Sequence, residues 1–177
     1  MTDITASEPI DYKIVDNLLH PKDLKSLQDL LLNPDFPWYY NPGINYDKEA
    51  SKDPYIFQFT HTFYDKFNFL SSYSEAILPL LSAIDPVALV RVKANLNTIS
   101  PTHVEGGYHT DYDDFECITG VFYLNTNNGY TKFINGEIIE SIENRLLLFP
   151  SKFLHTGATQ TDTSARVVIN INFFERK

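Results

Sequence analysis

The sequence predicts a mainly β fold of the jelly-roll type, with helices in its N-terminal part. From residue 88 onward, up to eight short segments with strand-like composition are separated by turn signals, a number that suits a jelly roll. Asn127-Asn128-Gly129 and Asn135-Gly136 supply the positive φ angles that tight hairpins need. The 13 Phe and 11 Tyr residues favour strands over helices. The predicted strands cover about residues 88–97, 104–110, 117–125, 130–134, 137–141, 145–149, 153–159 and 166–174.

Two helices are predicted before this region. Residues 20–32 place Pro21 where a first helical turn tolerates it and then carry leucines at helical spacing, namely Leu24, Leu27, Leu30 and Leu31. Ser72 and Glu75 have the spacing of a capping box ahead of an apolar segment that runs to Ile84. We therefore expect residues 1–87 to form a helical support for the β core.

The segment 33–54 is predicted to be a loop that borders the site as a lid, because prolines and a glycine interrupt it. Trp38, Tyr39 and Tyr40 lie within this segment. We interpret these three residues as core aromatics, and the alternative is that they form a lid over a substrate. Residues 55–63 alternate well enough to predict one strand after the loop.

The composition is that of one globular domain spanning residues 1–177, with its β core at 88–177. Hydrophobic residues make up 43% and charged residues 21%, which is the balance of a chain that folds around its own core. The formal net charge of −9 argues against nucleic acid as a partner, because phosphate backbones attract Lys and Arg. An acidic surface also favours neutral or cationic substrates.

The sequence carries no sign of export or of a membrane. Cys117 is the one cysteine and cannot form an internal disulfide, and no apolar run reaches the roughly 18–20 residues of a membrane span. The first residues lack the basic and apolar regions of a signal peptide. We expect a cytoplasmic protein with no membrane partner, in the host cytoplasm if a phage encodes it.

Two predicted strands carry a polar face opposite an apolar one. In 91–97 the polar set is Arg91, Lys93, Asn95 and Asn97, and in 166–172 it is Arg166, Asn170 and Asn172. Period-two alternation puts each set on one side of its strand. These faces either contact solvent, as in most sandwiches, or line a polar cavity. Composition does not decide between the two.

His109, Asp111 and His155 form a candidate metal site. His109 and Asp111 are two residues apart, so in an extended segment both side chains project to the same face. His155 opens another predicted strand 44 residues later. Two imidazoles and one carboxylate on one side of an ion leave open positions opposite, a geometry associated with non-haem Fe(II) oxygenases.

Arg166 adds a second element to this set. It lies 11 positions after His155, at the start of the last long strand. Its guanidinium stays charged and binds carboxylates in a fork geometry, which suits the distal carboxylate of a buried dicarboxylic acid. Without the other three residues, a surface arginine at a strand start would be the simpler interpretation.

Over residues 88–175 the chain resembles the 2-oxoglutarate/Fe(II)-dependent oxygenase superfamily, most nearly the prolyl-4-hydroxylase-like branch with its compact phage and bacterial members. The resemblance lies in Gly107-Tyr-His109-Thr-Asp111, Thr119-Gly-Val-Phe-Tyr123-Leu-Asn125, Gly129-Tyr-Thr131-Lys-Phe133, Arg145-Leu-Leu-Leu-Phe149-Pro150, and His155 with Arg166. It implies a double-stranded β-helix that holds Fe(II) and uses 2-oxoglutarate and O₂, with ascorbate as a further cofactor. The implied reaction couples decarboxylation of 2-oxoglutarate to hydroxylation of an unidentified substrate, with a peptidyl proline as first candidate.

The resemblance also implies roles for residues around the metal. Tyr123 would bind the distal carboxylate of 2-oxoglutarate beside Arg166, and Thr119, on the same face by period two, is a weaker candidate. Asn95 or Asn97 would donate an amide hydrogen bond to the 1-carboxylate. One departure concerns Gly129-Tyr130, where the family often has two glycines before the threonine.

Two other functions fit parts of the pattern. A cupin-like metal-dependent isomerase or ligand-binding jelly roll would keep the histidines and Asp111 but has no need of Arg166 paired with Tyr123. A capsid or tail interaction protein would share the architecture and bind no metal. We interpret His61 and His103 as loop or strand-face histidines. Asp113 and Asp114 could replace Asp111 at the metal but fall past the predicted strand end, so we interpret them as surface or substrate-facing residues.

Overall fold

A computed structural model describes residues 10–43 and 54–176 of the chain. The described part is mostly β, with two short helices. The helices are α1 (Pro21–Leu31) and α2 (Leu78–Ile84), and a 3₁₀ turn, Ser74–Ile77, leads into α2. The strands are β1 (Lys13–Val15), β2 (Tyr39–Asn41), β3 (Gln58–Asp65), β4 (Asn68–Phe69), β5 (Ala88–Thr98), β6 (Ile118–Tyr123), β7 (Tyr130–Phe133), β8 (Ile138–Glu140), β9 (Arg145–Pro150), β10 (His155–Gly157) and β11 (Ala165–Phe174).

The strands form two antiparallel sheets. The larger sheet has the order β1-β9-β6-β11-β5-β3-β2, with β4 paired to β3, and the smaller sheet has the order β10-β7-β8. Long-range pairing dominates this arrangement, since β11 lies between β5 and β6 and pairs with residues 67–86 positions earlier in β5 and 45–55 positions earlier in β6. This arrangement is a jelly roll, as the sequence predicts.

The helices cover one face of the larger sheet. Leucines of α1 and α2, among them Leu27 and Leu80, pack with the alternate residues of the two central strands, such as Ala94 and Ile169, in one buried cluster. Burial of each such side chain contributes roughly 1.5–3 kcal/mol, so the apolar alternation of β5 and β11 fixes which face meets the helices. The polar face of both strands must then point the other way, towards the smaller sheet.

Most predicted strands are confirmed within two or three residues, but the strand at 104–110 is wrong. That segment makes only two isolated β-bridges, Glu105 with Ala158 and His109 with His155. Gly107 in its middle has φ +86°, a backbone angle that extended strands do not adopt. The sequence prediction also missed β1, whose three residues are too few to show a period.

The helical support at 1–87 is not confirmed as a helical half, because the described part of this region holds strands β1–β4 beside the two short helices. The helix at 20–32 is confirmed as α1, whose N-cap His20 accepts a hydrogen bond from Lys22 N. The capping box is wrong: Tyr73 is the N-cap of the 3₁₀ turn and makes no side-chain capping bond. The strand at 55–63 is confirmed as β3, shifted by two to three residues.

The predicted loop at 33–54 is partly wrong, because Tyr39–Asn41 forms edge strand β2. Trp38 packs edge-on against Phe36 and donates its indole N–H to Leu31 O at 3.2 Å, as a core aromatic would. Tyr39 and Tyr40 are exposed, so the core interpretation fails for them. Residues 44–53 of the expected lid lie outside the described residues.

Asn144 ties the N-terminal segment to the start of β9. Its side chain accepts a hydrogen bond from Leu19 N and donates one to Leu19 O, both at 2.9 Å, and its φ is +61°.

Among residues 10–43 and 54–176, no helix has the length and apolar character needed to cross a membrane.

Replacing Asn144 by Ala should lower the free energy of unfolding by about 2–4 kcal/mol. The change leaves both buried backbone groups of Leu19 without partners and puts alanine, which tolerates the left-handed region less well than asparagine, at this backbone angle. Asn144→Gly is the matched control, since it loses the same bonds but tolerates the backbone angle, and should be less destabilising by about 1 kcal/mol. Urea unfolding measures both. A loss below about 0.5 kcal/mol for Asn144→Ala would contradict this role.

Candidate active site

The imidazoles of His109 and His155 face each other across two antiparallel segments. The two residues form a β-bridge in which each backbone N–H donates to the other's carbonyl, at 2.9 and 3.0 Å. Residues directly opposite in such a pair project to the same face, and the ring centroids are 4.5 Å apart. The bridge therefore brings together two histidines that lie 46 positions apart in the sequence.

Asp111 completes the cluster. Its backbone N–H donates to Ser151 O at 3.0 Å, which holds the segment after His109 against the turn that precedes β10. One ligand atom from each of His109, Asp111 and His155 lies within 4.8 Å of the others, a spacing from which one ion can be held. The His-Asp-His site predicted from the sequence is therefore present.

Hydrogen bonds at the Nδ1 atoms orient both imidazoles. His155 Nδ1 lies 2.9 Å from Phe153 O, and His109 Nδ1 lies 3.4 Å from Gly107 O. A carbonyl partner at Nδ1 fixes the proton there and leaves Nε2 as the lone-pair donor, as in many metal sites. Burial, with the nearby His155, lowers the pKa of His109 to about 4. His109 is therefore neutral at pH 7, the form that binds a cation.

A network of donors surrounds the Asp111 carboxylate. Thr119 Oγ1 donates to it at 2.8 Å, Asn172 Nδ2 at 2.9 Å, and Arg91 Nη2 at 3.3 Å. Burial acts to raise the pKa of Asp111, but the attraction of His155 and Arg91 and the two neutral hydrogen bonds outweigh it and hold that pKa below its ordinary value. Asp111 is ionised near neutral pH and fixed in orientation.

Sequence reasoning missed the contacts of Arg91 and Asn172 with Asp111. Both residues belong to the polar faces of β5 and β11 and are opposite each other in the β-sheet register. The alternation that singled out those faces was the available signal. Their partner was out of reach, because it depends on how the segment before β6 returns over the larger sheet.

The polar faces of β5 and β11 line a cavity of about 510 Å³, so the cavity interpretation of those faces is confirmed over the solvent one. The metal cluster lies on its wall together with charged and amide side chains. The lining includes Arg91, Lys93, Asn95, Asn97, Arg166 and Asn170. Its size is that of a small-molecule pocket.

Arg166 is a buried charge with no carboxylate beside it among the described residues. Its Nε donates to Ser141 Oγ at 2.9 Å, and its Nη2 lies 3.4 Å from Tyr130 O. The side chain is 4% exposed and contributes to the cavity wall. A buried cation without a counter-ion costs several kcal/mol, a cost that an anionic ligand at this position would offset.

Tyr123 and Gly129 shape the space around Arg166. The guanidinium carbon lies 5.7 Å from the centroid of the Tyr123 ring, whose hydroxyl donates to Thr131 Oγ1 at 2.8 Å. A β-carbon on Gly129 would come within 2.6 Å of Arg166 Cδ. Gly129 therefore lets the backbone lie close to Arg166, although Tyr130 stands where the resembling family often has a second glycine.

The other predicted binding residues are Asn95, Asn97 and Thr119. Asn95 and Asn97 are on the cavity wall, with Asn97 opposite Arg166 in the register. The Oδ1 atoms of Asn95 and Asn170 are buried without a partner among the described residues, as expected of amides that await a polar ligand. Thr119 contacts Asp111, so its placement favours support of the carboxylate over contact with a co-substrate.

The residues interpreted as structural are outside the metal cluster. His61 bonds Pro37 O and Ser71 Oγ in the aromatic core, and His103 bonds Thr159 O. Asp113 and Asp114 are exposed. Cys117 is buried and donates to Ser151 Oγ.

Lys93 is a cation on the cavity wall to which the sequence analysis gave no role. Burial, with the neighbouring Arg91, lowers its pKa to about 8. The Lys93 amine is still mainly protonated at pH 7, so it adds a positive charge to the cavity.

No protein-family model and no curated protein matches this chain by sequence. Solved structures match its fold. A Trichoplax adhaerens prolyl hydroxylase, in complex with a hypoxia inducible factor peptide, aligns with TM-score 0.67 and 17% identity over 93% of this chain and 83% of its own. The alpha-ketoglutarate-dependent epimerase SnoN of nogalamycin biosynthesis gives 0.66 and 10% over 94% and 78%. A collagen prolyl hydroxylase of Paramecium Bursaria Chlorella virus-1, in its 2-oxoglutarate complex, gives 0.55 and 14% over 94% and 96%.

At these identities the likeness establishes the fold. The chain has the jelly-roll fold of 2-oxoglutarate/Fe(II) oxygenases, which include prolyl hydroxylases and an epimerase, and it carries a His-Asp-His site in that fold. Because that range of reactions shares one architecture, the fold does not choose a substrate.

Replacing Gly129 by Ala should weaken binding of a dicarboxylate such as 2-oxoglutarate by about tenfold or more. The added methyl group would lie 2.6 Å from Arg166 Cδ, 2.8 Å from Asn127 Oδ1 and 3.0 Å from Ala158 O, so the Arg166 side chain has to shift. A shift of about 1 Å in a charged contact is worth on the order of 1–2 kcal/mol. Calorimetric titration of the Mn(II)-loaded variant measures the effect. Mn(II) affinity is the internal control and should change less than about twofold, because the His-Asp-His cluster is not touched. Unchanged 2-oxoglutarate affinity would show that Arg166 is not its anchor.

Proposed function

We propose that this protein is a non-haem Fe(II)-dependent oxygenase that uses 2-oxoglutarate as co-substrate and hydroxylates a second molecule. The observation that carries the proposal is the joint presence, in one cavity, of a His-Asp-His cluster and a buried arginine with no carboxylate partner among the described residues. A metal-binding jelly roll that is not an oxygenase would need the cluster but not the arginine.

His109, Asp111 and His155 would hold the iron, and their donor set suits it. Two imidazoles and one carboxylate leave part of the coordination sphere open, as a metal that must take both a co-substrate and O₂ requires. Thr119, Asn172 and Arg91 would keep the Asp111 oxygens in place, a support that commonly matters about 10–100-fold for affinity or activity. When bound, the iron supplies the oxidising chemistry that couples decarboxylation of 2-oxoglutarate to oxidation of the substrate.

Arg166 would bind the distal carboxylate of 2-oxoglutarate. The Tyr123 hydroxyl donates to Thr131 Oγ1 on the cavity wall. Burial raises the pKa of Tyr123, so this phenol stays neutral and keeps the proton that it donates to Thr131. Asn95 or Asn97 would donate an amide hydrogen bond to the 1-carboxylate. Iron, Asp111, 2-oxoglutarate and Arg166 together sum to zero charge, which removes the cost of a buried arginine without an anion.

The protein's contribution would be orientation and exclusion of water. The apolar side chains Val121 and Val168 line the cavity beside its polar groups, and both belong to the apolar cluster between the sheets. Electrostatic contacts are stronger in such a partly dry space than in water. We also propose that the whole chain, 1–177, works as one domain whose core is 88–177. A role for ascorbate is not supported.

The direct test is release of succinate from 2-oxoglutarate by protein loaded with Fe(II) and exposed to O₂. We expect measurable release, even uncoupled from a substrate, that His155→Ala abolishes because the cluster loses one of its three metal ligands. Arg166→Met should raise the KM for 2-oxoglutarate by at least about 30-fold, since truncating one side of a buried charge pair costs roughly 2–5 kcal/mol.

Two matched variants control for general damage. His20→Ala removes a histidine from the start of α1, and Arg145→Met removes an arginine that pairs with Asp16 and does not line the cavity. Both should release succinate as the wild type does. Succinate release that persists in His155→Ala, or an unchanged KM in Arg166→Met, would contradict the proposed function.

A further inference from the structure

We propose that the substrate of this site is a small carboxylic acid whose carboxylate is bound by Lys93. The proposal rests on the proposed function above, since it assumes that iron and 2-oxoglutarate occupy the same cavity. It assigns a class of substrate, which the fold alone leaves open.

Lys93 is positioned for a ligand rather than for the protein. It lies on the polar face of β5 between Arg91 and Asn95, and its side chain is part of the cavity wall. It makes no ion pair or hydrogen bond with any side chain in residues 10–43 and 54–176. The other two cations of the wall differ, since Arg91 pairs with Asp111 and Arg166 is the proposed anchor of 2-oxoglutarate.

The charges of the cavity do not balance without another anion. Its described charged side chains are three cations, Arg91, Lys93 and Arg166, and one anion, Asp111. Fe(II) and fully ionised 2-oxoglutarate add equal and opposite charge. The loaded site therefore keeps two net positive charges, and a partly buried excess of this kind attracts an anionic ligand.

Register places this excess at the metal end of the cavity. On the neighbouring strand β11, Asn97 is opposite Arg166, Lys93 is opposite Asn170, and Arg91 is opposite Asn172, whose amide donates to Asp111. Lys93 is therefore four residues along β5 from Asn97, the residue opposite Arg166, a distance of roughly 13 Å. A substrate has to reach the metal end to be oxidised, and there it meets Lys93 rather than Arg166.

A carboxylate fits this position better than a phosphate. Phosphate dianions are commonly held by several donors together, such as arginine forks, backbone N–H groups at a helix N-terminus, or a lysine beside such groups. Both arginine forks of the cavity are committed, and Lys93 offers one ammonium group. Asn170 Oδ1, opposite Lys93, has no hydrogen-bond partner in the part of the chain that the structure describes and can accept a hydrogen bond from a hydroxyl or amine on the same molecule.

The cavity has room for such an acid beside 2-oxoglutarate. Ten non-hydrogen atoms at the roughly 30 Å³ that each water takes in the liquid would fill at most about 300 Å³ of the 510 Å³. The remainder accepts a molecule of amino-acid size. The acidic surface pointed instead to neutral or cationic substrates, but charges inside the cavity act at short range and weak screening, so they outweigh it.

The test is calorimetric binding to protein loaded with Mn(II) and 2-oxoglutarate, without oxygen. The ligands are L-amino acids, N-acetyl-amino acids and 2-hydroxy acids, each paired with its neutral carboxamide, together with phosphate monoesters of similar size. We expect at least one acid to bind about tenfold or more tightly than its amide. Lys93→Met should abolish that preference and Lys93→Arg should keep part of it, while 2-oxoglutarate affinity changes less than about twofold.

The exposed Lys25→Met serves as the matched control and should bind as the wild type does. The proposal is overturned if acids and amides bind alike throughout the panel, or if phosphate esters bind more tightly than acids. It is also overturned if Lys93→Met leaves the preference intact or weakens 2-oxoglutarate binding instead. Failure of the proposed function is distinguishable, because 2-oxoglutarate itself would then not bind to the Mn(II)-loaded wild type.

Discussion

The backbone pairing of His109 with His155 is the constraint on which the rest of the site depends. Two hydrogen bonds hold these residues directly opposite each other, although no regular strand surrounds His109. The pair fixes two imidazoles on one face, and the bond from Asp111 N to Ser151 O brings the carboxylate to the same place. A metal site assembled from backbone pairing needs little side-chain ordering, so less conformational entropy is lost when an ion binds.

The cavity follows from the alternation of β5 and β11. Their apolar residues, such as Val92 and Val167, must pack under the helices, and this burial commits the intervening polar residues to the opposite side. That side faces the smaller sheet, where the metal cluster lies. The same packing therefore places Lys93, Asn95 and Arg166 on the wall of one cavity.

The sequence predicted what short spacing controls. Residues two positions apart in an extended segment project to the same face, so the spacing of His109 and Asp111 is enough to predict that they lie together. Arg166 begins a strand whose alternation is clear over ten residues. The sequence could not predict what register controls. The contacts of Arg91, Asn172 and Thr119 with Asp111 depend on which residues are opposite each other across the sheet. The errors have local causes as well. A glycine at positive φ interrupts the segment at 104–110, and a tyrosine rather than the predicted serine precedes the 3₁₀ turn before α2.

Titration of 2-oxoglutarate into the protein with and without Mn(II) shows whether the histidine pair and the buried arginine bind one ligand together. We expect binding that strengthens by about 100-fold or more when Mn(II) is present, since metal chelation and the arginine then act on the same molecule. Affinity that is the same with and without Mn(II), or no binding in either case, would contradict it.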